Sequence, residues 1–98
     1  MQIKMSELIT EAGISDMTDV GGGDAVENCI CCRKGMTEVA LDRAVFMQMT
    51  TDLYFVPLLS EPETSQGCYP VGSACAGKIR MALKNRGLKF KDWIGRIR

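Results

Sequence analysis

Two cysteines three positions apart, Cys29 and Cys32, are followed about forty residues later by Cys68 and Cys75, and this spacing constrains the chain more than any other feature. A C-x2-C segment folds into a tight knuckle that brings two thiolates to one metal ion, and a second cysteine pair completes the four sulfur ligands of a structural zinc site. Cys75 falls where a helix is predicted to start, so that backbone N–H groups and the helix dipole favour its thiolate form. Cys29, Cys32, Cys68 and Cys75 are therefore the expected metal ligands, and zinc the expected ion. Cys31, inside the knuckle, can replace Cys29 in that set. An iron–sulfur cluster, or cysteines that are only small buried apolar residues, are the competing readings.

The chain has five cysteines and no histidine. An odd number of thiols leaves one unpaired, and in a reducing cytoplasm metal binding is a better default than disulfides. The missing imidazole excludes Cys2His2 and Cys3His zinc sites and any His-dependent catalytic dyad, which points away from an enzyme. A cysteine nucleophile would have to be Cys31, beside Arg33 and Lys34, with water or a carboxylate such as Asp42 as proton acceptor. No spacing selects that acceptor. A thioredoxin-like redox pair fits no better, because the C-x2-C does not sit between a strand and a long helix.

At 98 residues, 46% of them hydrophobic and 24% charged, the chain reads as a globular protein in which a metal ion or a partner would add substantially to stability. No apolar run approaches the ~18 residues of a membrane span, so no membrane partner is expected. The first residues lack the basic start and apolar stretch of a secretory signal, so a cytoplasmic location is expected.

Residues 1–28 read as an N-terminal helix and a Gly-rich connector, and residues 29–98 as the zinc-binding part. Met5, Leu8, Ile9 and Ala12 recur at helical spacing and Gly13 is a stop signal. Gly21-Gly22-Gly23 reads as a linker, since no Gly-Lys-Ser/Thr follows to make it a phosphate loop. Glu38 to Leu41, Ala44 to Thr50 and Leu53 to Leu59 read as two or three short antiparallel strands, with turns at Asp42-Arg43 and Thr51-Asp52. Pro57 places the third at an edge or ends it early. Residues 60–67 read as a polar loop. Ala74 to Arg86 is the clearest helix, with Ser73 as N-cap, Gly87 as stop, and Cys75, Ile79, Ala82 and Leu83 on one face. Phe90, Trp93, Ile94 and Ile97 predict a second, short amphipathic helix, weakened by Gly95. The fold class is thus α+β: a hairpin or three-stranded sheet, a C-terminal helix and an extra N-terminal helix.

Cys29, Cys32 and the stretch Val71-Gly72-Ser73-Ala74-Cys75-Ala76-Gly77-Lys78-Ile79 resemble the pattern of small bacterial and phage zinc-binding proteins, in which a knuckle precedes a late Gly-Ser-x-Cys helix start. The resemblance implies a treble-clef-like fold over about residues 29–86 and a host-directed binding or inhibitor role. The chain departs from the usual ligand spacing, because six residues separate Cys68 from Cys75.

The net charge of zero hides an asymmetry. Residues 1–28 carry six carboxylates against one lysine, net −5, and residues 76–98 carry eight cations against Asp92, net +7. Such polarity steers an acidic partner to the basic end, or draws two ends or two subunits together. Arg80, Lys84, Lys89, Lys91, Arg96 and Arg98, with Trp93 as an aromatic anchor, are the candidate partner-binding residues. A protein partner is the first expectation. Nucleic acid is the alternative, because aromatic and basic residues interleave after Lys89 as on single-strand binding surfaces. Phe90 and Trp93 also fit a plain core role, since their spacing is helical. Met17, Met36, Met47, Met49 and Met81 read as gap-filling core residues.

Overall fold

The computed structural model describes residues 1–18 and 23–96. In chain order these form β1 (Ile3–Lys4), α1 (Met5–Glu11), β2 (Glu27–Asn28), β3 (Gly35–Met36), α2 (Glu38–Asp42), β4 (Val45–Thr50), β5 (Tyr54–Val56), β6 (Ser65–Val71), α3 (Ser73–Asn85) and α4 (Phe90–Trp93). Four strands make an antiparallel sheet in the order β1-β5-β4-β6, and β2 and β3 form a separate ribbon. The class is α+β, as expected. Its sheet has one strand more than the three foreseen.

β4 lies at the centre and is buried along almost its whole length, so its sequence shows no apolar–polar alternation. Its one amide side chain, Gln48, is satisfied internally. Gln48 Nε2 donates to the carbonyls of Pro57 at 2.8 Å and Ser60 at 2.7 Å, and its Oε1 accepts from Ser65 Oγ at 2.7 Å. One buried residue thereby fastens the turn after β5 and the start of β6. Pro57 ends β5 early, as anticipated, although β5 is flanked by β1 and β4 rather than lying at an edge.

Three local expectations are overturned. Glu38 to Leu41 is helical, not a strand, because Thr37 caps the segment by accepting the Ala40 N–H on its hydroxyl at 3.3 Å. Residues 65–67 belong to β6 rather than to a polar loop. Pro70 obscures that strand in the sequence, yet costs no ladder bond. It sits opposite Phe46, whose N–H and C=O both turn the other way, to Gly95. That same bridge stops the second amphipathic helix at Trp93, and Ile94 is extended. Ile97 and Arg98 lie outside the described residues.

α1 and α3 end in the same way. Gly13 and Gly87 take φ of 70° and 76°, and at each helix end two N–H groups turn back onto the last carbonyls: Gly13 to Thr10 and Ile14 to Ile9, Gly87 to Lys84 and Leu88 to Leu83. The helices pack on each other, joined at the surface by Arg86 Nε donating to Glu11 Oε2 at 2.6 Å. Their buried sides, with Leu8, Ile79, Ala82 and Leu83, meet Met47, Phe55, Val71 and Trp93 in one core.

The start of the chain, β1 and α1, is tied into this sheet. Ile3 pairs with Phe55, Met5 N–H donates to the Leu53 carbonyl at 3.0 Å, and Leu8 is fully buried. Gly21 and Gly22 of the expected linker lie outside the described residues. No described helix is long and apolar enough to cross a membrane.

Candidate metal centre

The β2–β3 ribbon carries the knuckle at its tip. Glu27 pairs with Met36 and Asn28 with Gly35, and the six residues between turn on two backbone bonds, Arg33 N–H to the Cys29 carbonyl at 2.8 Å and Cys29 N–H to the Lys34 carbonyl at 3.0 Å. Arg33 adopts φ of 66°, the left-handed conformation that reverses the chain, and Asn28 Nδ2 steadies it by donating to the Arg33 carbonyl at 2.9 Å. Two further backbone bonds dock the knuckle on the body of the protein. Ile30 N–H donates to the Pro70 carbonyl on β6 at 2.9 Å, and the Cys32 carbonyl accepts from Met17 N–H at 2.6 Å.

Docking in this position sets the knuckle against the first turn of α3, where Cys75 is the third residue. The sulfurs of Cys29, Cys32 and Cys75 all lie within 4.8 Å of one another, and all three residues are buried. Thiolates at about 2.3 Å from a tetrahedral zinc ion stand about 3.8 Å apart, so the three can share one ion with small side-chain adjustments. A knuckle, antiparallel strands and a helix with a thiol in its first turn follow one another as expected for a treble-clef-like site.

The sulfur of Cys29 is prepared to carry negative charge. The Cys31 thiol hydrogen bonds to it, and the backbone N–H groups of Cys32, Gly72 and Cys31 point at it, so that despite burial its pKa is drawn down to about 4. The Gly72 N–H stands 3.3 Å away. Burial pushes Cys75 upward, helped by its hydrogen bond with Cys32 and by the charge on Cys29. Cys31 is also pushed upward, first by its hydrogen bond to Cys29 and then by burial. Cys29 is thus the sulfur disposed to carry charge and Cys75 the one disposed to keep its proton, because a second buried thiolate beside Cys29 would need a cation to balance it. A divalent ion removes that obstacle, since a coordinated thiol loses its proton outright.

Cys68, the fourth expected ligand, is not brought to this group. It lies on β6 opposite Gln48 and is exposed to solvent. The candidate partner residues separate in a similar way. Arg80, Lys84, Lys89, Lys91 and Arg96 are exposed, and the Arg80 guanidinium lies 4.0 Å from the centre of the Phe90 ring. Trp93 is 2% exposed and belongs to the core, so it is not the surface anchor anticipated. Arg98 lies outside the described residues.

A feature missed by the sequence reading borders the thiols. A groove of about 920 Å³ runs between the knuckle, α2 and the start of α3, with Met17, Met36 and Val39 among its apolar lining and Lys34, Arg43 and Lys78 as its cations. No acidic residue lines it among the described residues. Lys34 beside the knuckle and Lys78 three residues after Cys75 were visible signals, but Arg43 joins them only through the fold.

No protein-family model matches the chain, and neither curated proteins nor solved structures yield a match.

Proposed function

We propose that this chain is a zinc-stabilised binding module, without catalytic chemistry of its own, that engages another protein. The observation that carries the reading is the convergence of three buried thiols, Cys29, Cys32 and Cys75, from a knuckle and a helix start onto a volume that fits one ion. Soft thiolate donors favour zinc among the common divalent ions, and a site of this composition fastens elements together. Here it would clamp the β2–β3 ribbon to α3, whose outward side carries Arg80 and Lys84 with no carboxylate in the helix. That cationic side, continued by Lys89 and Lys91, is the proposed contact surface for an acidic partner. The resemblance of the knuckle and of Gly72-Ser73-Ala74-Cys75 to phage-borne zinc proteins supports a host protein complex as that partner, which the module would modulate or inhibit.

The test is elemental analysis of the purified protein, followed by capture from a host lysate with and without nuclease. About one zinc per chain and a nuclease-resistant protein partner are expected; a metal-free protein would remove the basis of the reading. A second reading, nucleic-acid binding through the same cations, rests on the unbroken positive charge of α3. It predicts affinity falling steeply with salt, whereas a protein interface depends more on a few anchors.

A further inference from the structure

The three clustered sulfurs leave one corner of a tetrahedral site without a protein ligand, and Cys68 does not occupy it. The chain has no histidine, and no carboxylate lines the groove beside the thiols among the described residues. One donor within reach is unused. Cys31 is 6% exposed, sits in the knuckle between two ligands, and belongs to the same buried cluster as Cys29, Cys32 and Cys75. We propose, on the basis of the metal-site reading above, that Cys31 supplies the fourth sulfur and closes a Cys29, Cys31, Cys32, Cys75 site.

The movement called for is a side-chain rotation. Cys31 lies outside the group of three mutually close sulfurs. A change between staggered positions about a single Cα–Cβ bond carries a cysteine sulfur by about 3 Å, and such a rotation is the movement by which Cys31 would join a shared ion. On binding, Cys31 gives up its proton to solvent as the S–H bond is replaced by a bond to the metal, with no change in oxidation state. The knuckle backbone need not move, because its docking bonds run through Ile30 N–H and the Cys32 carbonyl rather than through Cys31. A closed four-sulfur shell leaves no position for water or substrate, which is the form of a structural rather than a catalytic zinc site.

Cobalt(II) substitution of the reduced protein, with zinc X-ray absorption on the unaltered chain, tests this. The zinc form should show four sulfurs at about 2.3 Å. In the cobalt form, Cys31→Ser should lower the thiolate-to-metal charge-transfer intensity by about a quarter and weaken affinity at least tenfold, as loss of one of four thiolates requires. Cys68→Ser should match the unaltered protein. Three sulfurs with a lighter fourth atom, or a Cys31→Ser spectrum identical to the unaltered one, overturns the assignment while leaving the metal reading intact. A loss on Cys68→Ser transfers the role to Cys68. Failure of the unaltered protein to bind either ion overturns both readings, and the absorption experiment answers even if a variant does not fold.

Discussion

The N–H of Gly72 donates to the sulfur of Cys29 over 3.3 Å, joining positions 43 residues apart in the chain. Gly72 is also the residue that enters α3, with extended backbone and no side chain to cap the helix. One peptide group therefore starts the helix that presents Cys75 and stabilises negative charge on the knuckle. A side chain at Gly72 would find the Cys29 sulfur at 3.8 Å, an ordinary contact. What Gly72 offers the knuckle is its N–H, a donor whose hydrogen bond to Cys29 is stronger when that sulfur is a thiolate.

Loss of Cys32 or Cys75 should remove the metal and most of the folding cooperativity together. Metal binding contributes roughly 10–16 kcal/mol in zinc-finger peptides, comparable to a domain's whole net stability, and ligands act as a set. Cys32→Ser and Cys75→Ser should thus melt broadly and contain little zinc, while Cys68→Ser stays like the parent. Elemental analysis beside calorimetry decides; full zinc retention in Cys75→Ser would sink the site.

Zinc affinity should fall as the solution is acidified. Cys75 is held protonated by burial, so its proton must leave when metal binds, and protons compete with the ion increasingly as pH drops. Chelator competition between pH 8 and pH 6 should show at least about a tenfold loss of affinity per unit. A flat profile would mean that no thiol proton is released.

Gln48→Met should destabilise the fold without touching metal content. The substitution keeps the side-chain length but takes the Nε2 donor from the carbonyls of Pro57 and Ser60 and the Oε1 acceptor from Ser65. Each buried polar group left alone costs about 1–3 kcal/mol, so a total of about 2–4 kcal/mol is expected. Urea denaturation with an unchanged slope measures it; a loss below about 1 kcal/mol would show that water replaces the amide.

Trp93 and the exposed cations should respond oppositely. Trp93→Ala removes a core side chain and should lower stability by about 3–5 kcal/mol. Charge reversal at Arg80 and Lys84 should leave the melting temperature nearly unchanged while abolishing partner capture, since exposed charges contribute little to folding. Capture that survives the reversals moves the contact surface away from α3.

What the sequence determined by itself is local. The knuckle spacing, the helix stops at Gly13 and Gly87, the buried face of α3 and the early end of β5 at Pro57 each follow from bonds or clashes within a few residues, and each is found in the structure. Thr37 carried a readable cap too, but the Val and Leu that follow suggested a strand. The tertiary structure decided the rest, because it rests on backbone pairing between distant segments. Tyr69 and Val71 join β6 by pairing with Met47 and Val45, and that pairing sets Cys68 on the exposed surface instead of beside the knuckle. Gly95 leaves its helical pattern because Phe46, a residue 49 positions earlier, bonds to its N–H and carbonyl. Which sulfur meets which is a question of register and docking, and neither leaves a periodic trace in the chain.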